Sequence, residues 1–184
     1  NDLNAGERFH WYTTTGWIMW NCQVGGLLLG ATICLYDGNP SWPEPGMLWQ
    51  FAERTGLHFL GAGAAYHTGC MKTGVRIDGA RLARTLRTVG STGSPLSADA
   101  YQWLQEALGS SVWIAPISGG TDLASAFIAG DCTRPVWAGE MQARCLGAGV
   151  AAWSERGEPL VGQVGELVCT TPMPSMPLYF WGDE

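Results

Sequence analysis

Three short stretches carry residue types that could do chemistry: Thr13-Thr14-Thr15-Gly16-Trp17, Gly90-Ser91-Thr92-Gly93-Ser94-Pro95 and Ser118-Gly119-Gly120-Thr121-Asp122. Each mixes hydroxyls with glycine, so backbone N–H groups and short side chains face whatever binds there. Amides and hydroxyls suit phosphate oxygens, and glycine leaves no Cβ to obstruct a flat base. The second stretch is not a P-loop, because no Lys-Ser/Thr pair follows it. Taken singly, each stretch reads as an ordinary strand-to-helix connection. Three of one kind make a nucleotide site an equal reading.

Such turns need a scaffold that brings them together. Phe9 to Thr13 reads as a strand, Ile18 to Leu29 as a helix, and Ala31 to Tyr36 as a short buried strand closed by Asp37-Gly38-Asn39-Pro40. The pattern recurs: helix at Met47 to Arg54, strand at Leu57 to Leu60, helices after Gly61-Ala62-Gly63 and at Ala80 to Thr85, strand at Leu86 to Val89. Ser97 is placed to cap a helix over Ala98 to Leu108, with Tyr101, Leu104 and Leu108 on one face, before a strand at Ser111 to Ala115. Alternating strand and helix predicts an α/β fold, a parallel sheet with flanking helices. Beyond about Pro135 only short strand-like pieces remain, at Gly149 to Trp153 and Gln163 to Thr170, with a hairpin turn at Glu155-Arg156-Gly157-Glu158. The division expected is 1–135 as an α/β subdomain and 136–184 as the start of a β-rich one, both incomplete. In open α/β sheets ligands bind beyond the carboxyl ends of the strands, where all three stretches fall.

Trp11-Tyr12-Thr13-Thr14-Thr15-Gly16-Trp17-Ile18-Met19-Trp20-Asn21, Gly90 through Leu96 and Ile117-Ser118-Gly119-Gly120-Thr121-Asp122-Leu123 together resemble the adenylate-forming acyl-CoA synthetases. Leu35-Tyr36-Asp37-Gly38, Gly139-Glu140-Met141-Gln142-Ala143-Arg144, Gly165-Glu166-Leu167-Val168-Cys169-Thr170 and Tyr179-Phe180-Trp181 are similar to its acetoacetate-activating subgroup. The resemblance covers essentially the whole chain and implies the large N-terminal domain of an AMP-forming acid–CoA ligase. ATP, Mg²⁺ and coenzyme A would be the cofactor and co-substrates, and acetoacetate the acid.

Residue by residue, the resemblance puts Gly93, Ser94 and Pro95 against the adenine. It puts Gly120 in the nucleotide site and gives Thr121 a hydrogen bond to the α-phosphate. Asp122 stands where most relatives have a magnesium-binding Glu; a shorter carboxylate still offers hard oxygen. Thr121 and Asp122 are thus the catalytic candidates, with Asp122 also the metal candidate. Trp17, Ile18, Met19 and Thr92 would wall the acyl pocket. Gly119 stands where acetate-activating relatives hold a tryptophan, and hydrogen in place of an indole leaves room for a four-carbon keto acid. An equal reading is that Gly119 merely serves its turn. The family's lysine-bearing phosphate loop, ribose-binding Asp and C-terminal catalytic Lys match nothing here, so the piece is expected to be inactive alone and poorly folded without its flanks.

The remaining residues read as structure. His10, His58 and His67 are expected to be structural, and Glu140 with Arg144 an ion pair or strand-edge charges. Gly61-Ala62-Gly63 lacks the third glycine and the later acid of a dinucleotide fingerprint; by the resemblance it borders the coenzyme A tunnel. With a net charge of −6 and only ten basic residues, nine Arg and Lys72, the chain is not built for nucleic acid. The run Arg76, Arg81, Arg84 and Arg87 reads as a solvated face. No apolar run approaches the roughly 18 residues of a membrane span. Six dispersed cysteines without a C-x-x-C pair exclude zinc-finger spacing and suit a reducing cytoplasm. Charged residues are only 14% of the chain, which excludes disorder, and the ten tryptophans suggest a surface covered by further protein, the remainder of its own chain. Two other readings stay open: a ligase for propionate, butyrate or acetate, and a non-catalytic nucleotide-binding α/β module.

Overall fold

The computed structural model describes residues 2–183. Its centre is a parallel sheet of β1 (Arg8–Trp11), β2 (Thr32–Ile33), β3 (Phe59–Gly63), β4 (Thr88–Thr92) and β5 (Trp113–Pro116), in the order β2-β1-β3-β4-β5. The helices are α1 (Ile18–Gly25), α2 (Met47–Thr55), α3 (Ala64–Lys72), α4 (Gly79–Leu82) and α5 (Ala98–Leu108). The α/β class with a parallel sheet and flanking helices is therefore present.

Strand side chains alternate between faces, and each face has its own core. Leu60, Ala62, Val89 and Ile114 bury against Leu48 and Trp49 of α2, Cys70 of α3 and Tyr101, Leu104 and Leu108 of α5. The opposite face carries Phe9, Trp11 and Phe59, with Met19 of α1 packed on them. Helix α5 forms where its cap and stripe predict. Ser97 Oγ accepts from the Ala100 N–H at 3.3 Å, and Gly109 at φ +82 ends the helix. Gly56, at φ +63 and ψ +50, closes α2 in the left-handed helical conformation.

Several expected bounds move. The helix expected over 18–29 ends at Gly25 and tightens into a 3₁₀ turn over Gly26–Leu29. The strand expected over 31–36 pairs only at Thr32–Ile33. Strands β3 and β4 each begin and end two or more residues later than their apolar runs suggest. Gly90-Ser91-Thr92 and Gly61-Ala62-Gly63 are strand rather than turn, because both glycines lie under the Trp11 indole. A Cβ on Gly90 would stand 2.7 Å from Trp11 Cζ2, and one on Gly61 would overlap the ring outright.

After β5 the pairing becomes antiparallel. Strands β6 (Ser118–Gly120), β7 (Ser125–Ala129) and β8 (Ala143–Arg144) form one small sheet, and β9 (Val150–Trp153), β10 (Pro159–Leu160) and β11 (Glu166–Cys169) another, ordered β10-β9-β11. The turn expected at residues 155–158 joins β9 to β10, with Gly157 at φ +77. Leu28, Trp42 and Trp181 are exposed, and among the described residues no helix is long and apolar enough to cross a membrane.

Arg81 pairs with Glu53, and Arg87, instead of lying free on a solvated face, meets Glu7 at 2.6 Å. Glu140 and Arg144 do not pair: Tyr101 donates to the Glu140 carbonyl at 2.7 Å, and Arg144 donates to that of Val150. His10 and His67 are buried, each donating to a backbone carbonyl, those of Cys34 at 2.8 Å and Gly90 at 3.1 Å. His58 accepts from the Arg8 N–H at 3.1 Å.

Burial holds the pKa of His10 and of His67 down at about 4, against the modest raising effect of each carbonyl bond. Both rings are therefore neutral when folded, while unfolded they take up protons from about pH 6.5 downward. Stability is complete above that value and is lost as pH falls toward about 4, by about 1.4 kcal/mol per pH unit for each ring. Urea midpoints of the full-length protein carrying these residues should fall between about pH 7 and pH 5, and fall less in a His10→Gln variant. Equal drops in the two proteins would contradict this origin.

Candidate active site

Strands β4 and β5 run side by side in register, Thr88 opposite Trp113 and Ser91 opposite Pro116, so their carboxyl ends leave the sheet together. Beyond β4 the chain turns at Gly93, whose φ of +84 lies in the left-handed region that a side chain would strain. Beyond β5 it is fastened back: Thr92 Oγ1 donates to the Ile117 carbonyl at 3.0 Å. Trp17, the residue at the N-cap of α1, supplies no side-chain acceptor. Thr121 does so from far along the chain, its Oγ1 accepting from the Ile18 N–H at 3.2 Å.

These ties close a cavity of about 610 Å³ lined by Trp17, Ile18, Met19, Thr92, Gly93, Ile117, Gly119, Gly120 and Thr121. That volume lies in the usual range for small-molecule sites, roughly 300–1,000 Å³. A second cavity of about 230 Å³ shares Thr92, Gly93, Ile117 and Gly119 with it and continues past Ser94, Pro95 and Tyr101 to Gly139, Glu140 and Met141. The two are one crevice with a wide, apolar end at Trp17–Met19 and a narrow end at Gly93–Pro95. Among the described residues, no lysine or arginine lines either part.

Of the residues singled out in the sequence, the crevice gathers Trp17, Ile18, Met19, Thr92, Gly93, Ser94, Pro95, Gly119, Gly120 and Thr121. It leaves out the triple threonine itself: Thr13 and Thr14 spend hydrogen bonds within their own turn, at Thr14 O, and the contribution of this stretch starts at Trp17. Asp122 is exposed and lines neither part. Ser118–Gly120, expected as a turn, is strand β6 with a register shift at Ser118/Gly119. Gly119 has a backbone reason of its own: a Cβ there would stand 2.7 Å from Ala126 Cα and overlap the Ser125 carbonyl oxygen on β7.

The sequence reading missed Ile117, Tyr101 and the segment Gly139–Met141. Tyr101 looks like a core residue from its helical spacing, and its buried ring is one. Its hydroxyl nevertheless reaches the crevice wall at Glu140. Burial first, then the Glu140 charge, pushes the Tyr101 phenol up to about 12, so it stays a donor. Among the described residues no group of three His, Cys, Asp or Glu side chains could cage a metal. Magnesium needs none, since it is held by one or two carboxylates together with substrate phosphates. The exposed Asp122, adjoining Thr121, fits that donor set.

A family model described as AMP-binding enzyme matches residues 1–180. The chain belongs to the AMP-binding enzyme family. It is similar to acetoacetyl-CoA synthetase of Gallus gallus, 43% identical over 183 residues, 100% of this chain and 27% of that protein. The acetoacetyl-coenzyme A synthetase of Rhizobium meliloti (strain 1021) is 42% identical over 98% of this chain and 28% of its own length. A solved acetoacetyl-CoA synthetase from Streptomyces lividans superposes with a TM-score of 0.87 at 48% identity, over 99% of this chain and 29% of that one. The chain thus spans about a quarter of the length of the curated relatives it matches.

The Thr121–Ile18 bond makes a separable prediction. Thr121→Val leaves the first helical N–H of α1 to solvent and should lower stability by about 0.5–1 kcal/mol, the low end for a lost cap. Thr121→Ser keeps the acceptor and should melt with the parent. A serine variant that loses as much as the valine variant would show that the methyl group, not the hydroxyl, matters there.

Proposed function

We propose that this chain is part of an ATP-dependent acid–CoA ligase that activates acetoacetate as an acyl-adenylate and passes it to coenzyme A. The observation that carries the reading is the single crevice with two unlike ends, formed by residues 17–19, 92–95 and 117–121. A flat base suits the narrow glycine-proline end, a small acid suits the apolar end, and the α-phosphate falls between them, beside a hydroxyl. The curated relatives described above share this activity in their names.

In the first step an acid oxygen attacks the α-phosphorus, the bond to the bridging oxygen breaks, and pyrophosphate leaves. In the second the coenzyme A sulfur attacks the adenylate carbonyl carbon, the acyl carbon–oxygen bond breaks, AMP leaves and the thiol proton goes to solvent. We assign Gly93, Ser94, Pro95 and Gly120 to holding the nucleotide. Thr121 donates its proton to an α-phosphate oxygen while its lone pair keeps the Ile18 N–H. Trp17, Ile18, Met19 and Thr92 form the acid's wall and exclude water from the adenylate, which hydrolysis would waste. Gly119 lines the same wall, and its missing Cβ lets β6 lie against the β7 backbone there. Asp122 would hold Mg²⁺, which spreads the phosphate charge when bound. The residues' task is positioning and dipole stabilisation.

We also propose a subdomain division at residues 135/136, supported by the small antiparallel sheet that lies wholly beyond it. The partners are small molecules together with the rest of the protein's own chain. The compartment is the cytoplasm, a reading supported by six dispersed cysteines without a C-x-x-C pair.

Assay of the full-length protein with a panel of acids tests the reading. Acetoacetate should exceed butyrate, propionate and acetate in kcat/KM by roughly tenfold or more, a difference a shaped polar and apolar pocket can supply. Equal kcat/KM for acetoacetate and butyrate would contradict the acid assignment.

A further inference from the structure

Gln142 lies outside both cavities, yet its carboxamide is saturated with bonds to the chain that builds one of their walls. Its Nε2 donates toward the carbonyls of Asp131 at 2.9 Å, Arg134 at 2.7 Å and Pro135 at 3.2 Å. Its Oε1 accepts from Trp113 Nε1 at 2.9 Å and from the Asp131 N–H at 3.1 Å. One side chain therefore fastens both ends of the loop 131–142 to β5, the strand whose carboxyl end opens the crevice. A carboxamide alone among side chains offers two donors and a carbonyl acceptor in one plane.

What this loop delivers is Gly139, Glu140 and Met141, which face Gly93–Leu96 across the narrow end. Two further contacts set its position. Tyr101 Oη donates to the Glu140 carbonyl at 2.7 Å, and Gly139, at φ +85, packs against Ala98 at the start of α5 so closely that a Cβ would touch it at 3.7 Å.

We propose that Gln142 is a positioning residue for nucleotide binding: with Tyr101 it holds residues 139–141 as the third wall of the cleft that takes the adenine base. This rests on the ligase reading for the ligand's identity, and it assigns that site a wall and two supports. The acid end, lined by Trp17, Ile18 and Met19, has no residue in the loop and is independent of it.

The test uses the full-length protein and two variants. Gln142→Glu preserves shape but replaces the donors with a carboxylate facing three carbonyls. Tyr101→Phe removes only the hydroxyl and leaves the core ring in place. Equilibrium binding of ATP, without any acid, is measured alongside the KM for ATP and the KM for the acid. Gln142→Glu should weaken ATP binding roughly tenfold and Tyr101→Phe roughly two- to fivefold, the scale of charged and neutral hydrogen-bond losses. The KM for the acid should stay within about twofold. If Gln142→Glu does not fold, Tyr101→Phe decides alone. Unchanged ATP affinity, or a parallel rise in both KM values, would overturn the proposal. Weakened ATP binding in a protein that does not use acetoacetate would support this wall while refuting the acid.

Discussion

The Trp11 indole occupies the space where Cβ atoms of Gly61 and Gly90 would stand, and the geometry of the crevice follows from that contact. Three adjacent parallel strands can carry a buried tryptophan on this face only if the two neighbouring positions are hydrogen. With the ring seated, β4 continues in register past the glycine to Thr92, and Thr92 can reach the Ile117 carbonyl. Filling either glycine would push the strands apart or expel the indole, and overpacking of this kind costs typically 1–3 kcal/mol. The carboxyl ends of β4 and β5, and all that hangs from them, would lose their common origin.

Apart from Glu140, the crevice built on that frame is lined by neutral groups. Hydroxyls at Thr92 and Thr121 tie distant segments together, and glycines at 93 and 119 let backbone approach closely. Among the described residues, no Lys or Arg lines it. In the ligase proposed above, such fixed dipoles would stabilise developing charge without reorganisation, but would not neutralise a triphosphate. Neutralisation would then fall to a cation delivered with the substrate or to side chains other than these. On that proposal, this part of the protein would set positions and shape.

Local signals made much of the fold legible. Helix α5, from its Ser97 cap to its Tyr101–Leu104–Leu108 stripe, is visible in the sequence because cap, period and stop agree. The βα alternation was equally plain. Strand bounds were not, and the reason is specific. Gly90-Ser91-Thr92 and Ser118-Gly119-Gly120 have the composition of turns, and only contacts far away in the chain make them strands: Trp11 in one case, the β7 backbone in the other. The gathering of Trp17–Met19, Thr92–Pro95 and Gly119–Thr121 followed from where ligands sit on parallel sheets. Gln142 and the 139–141 wall carry no local signature, since a glutamine in a loop looks solvated until its five partners are known. Asp122 carries no signal beyond the resemblance, and it lies exposed outside the cavity walls.

A crystal structure of the full-length protein with AMP bound is the most direct test of the common origin of these parts. The base should lie between Gly93–Pro95 and Gly139–Met141, with an α-phosphate oxygen within hydrogen-bond reach of Thr121 Oγ1. Nucleotide density elsewhere on the sheet, with Thr121 bonded to Ile18 alone, would contradict it.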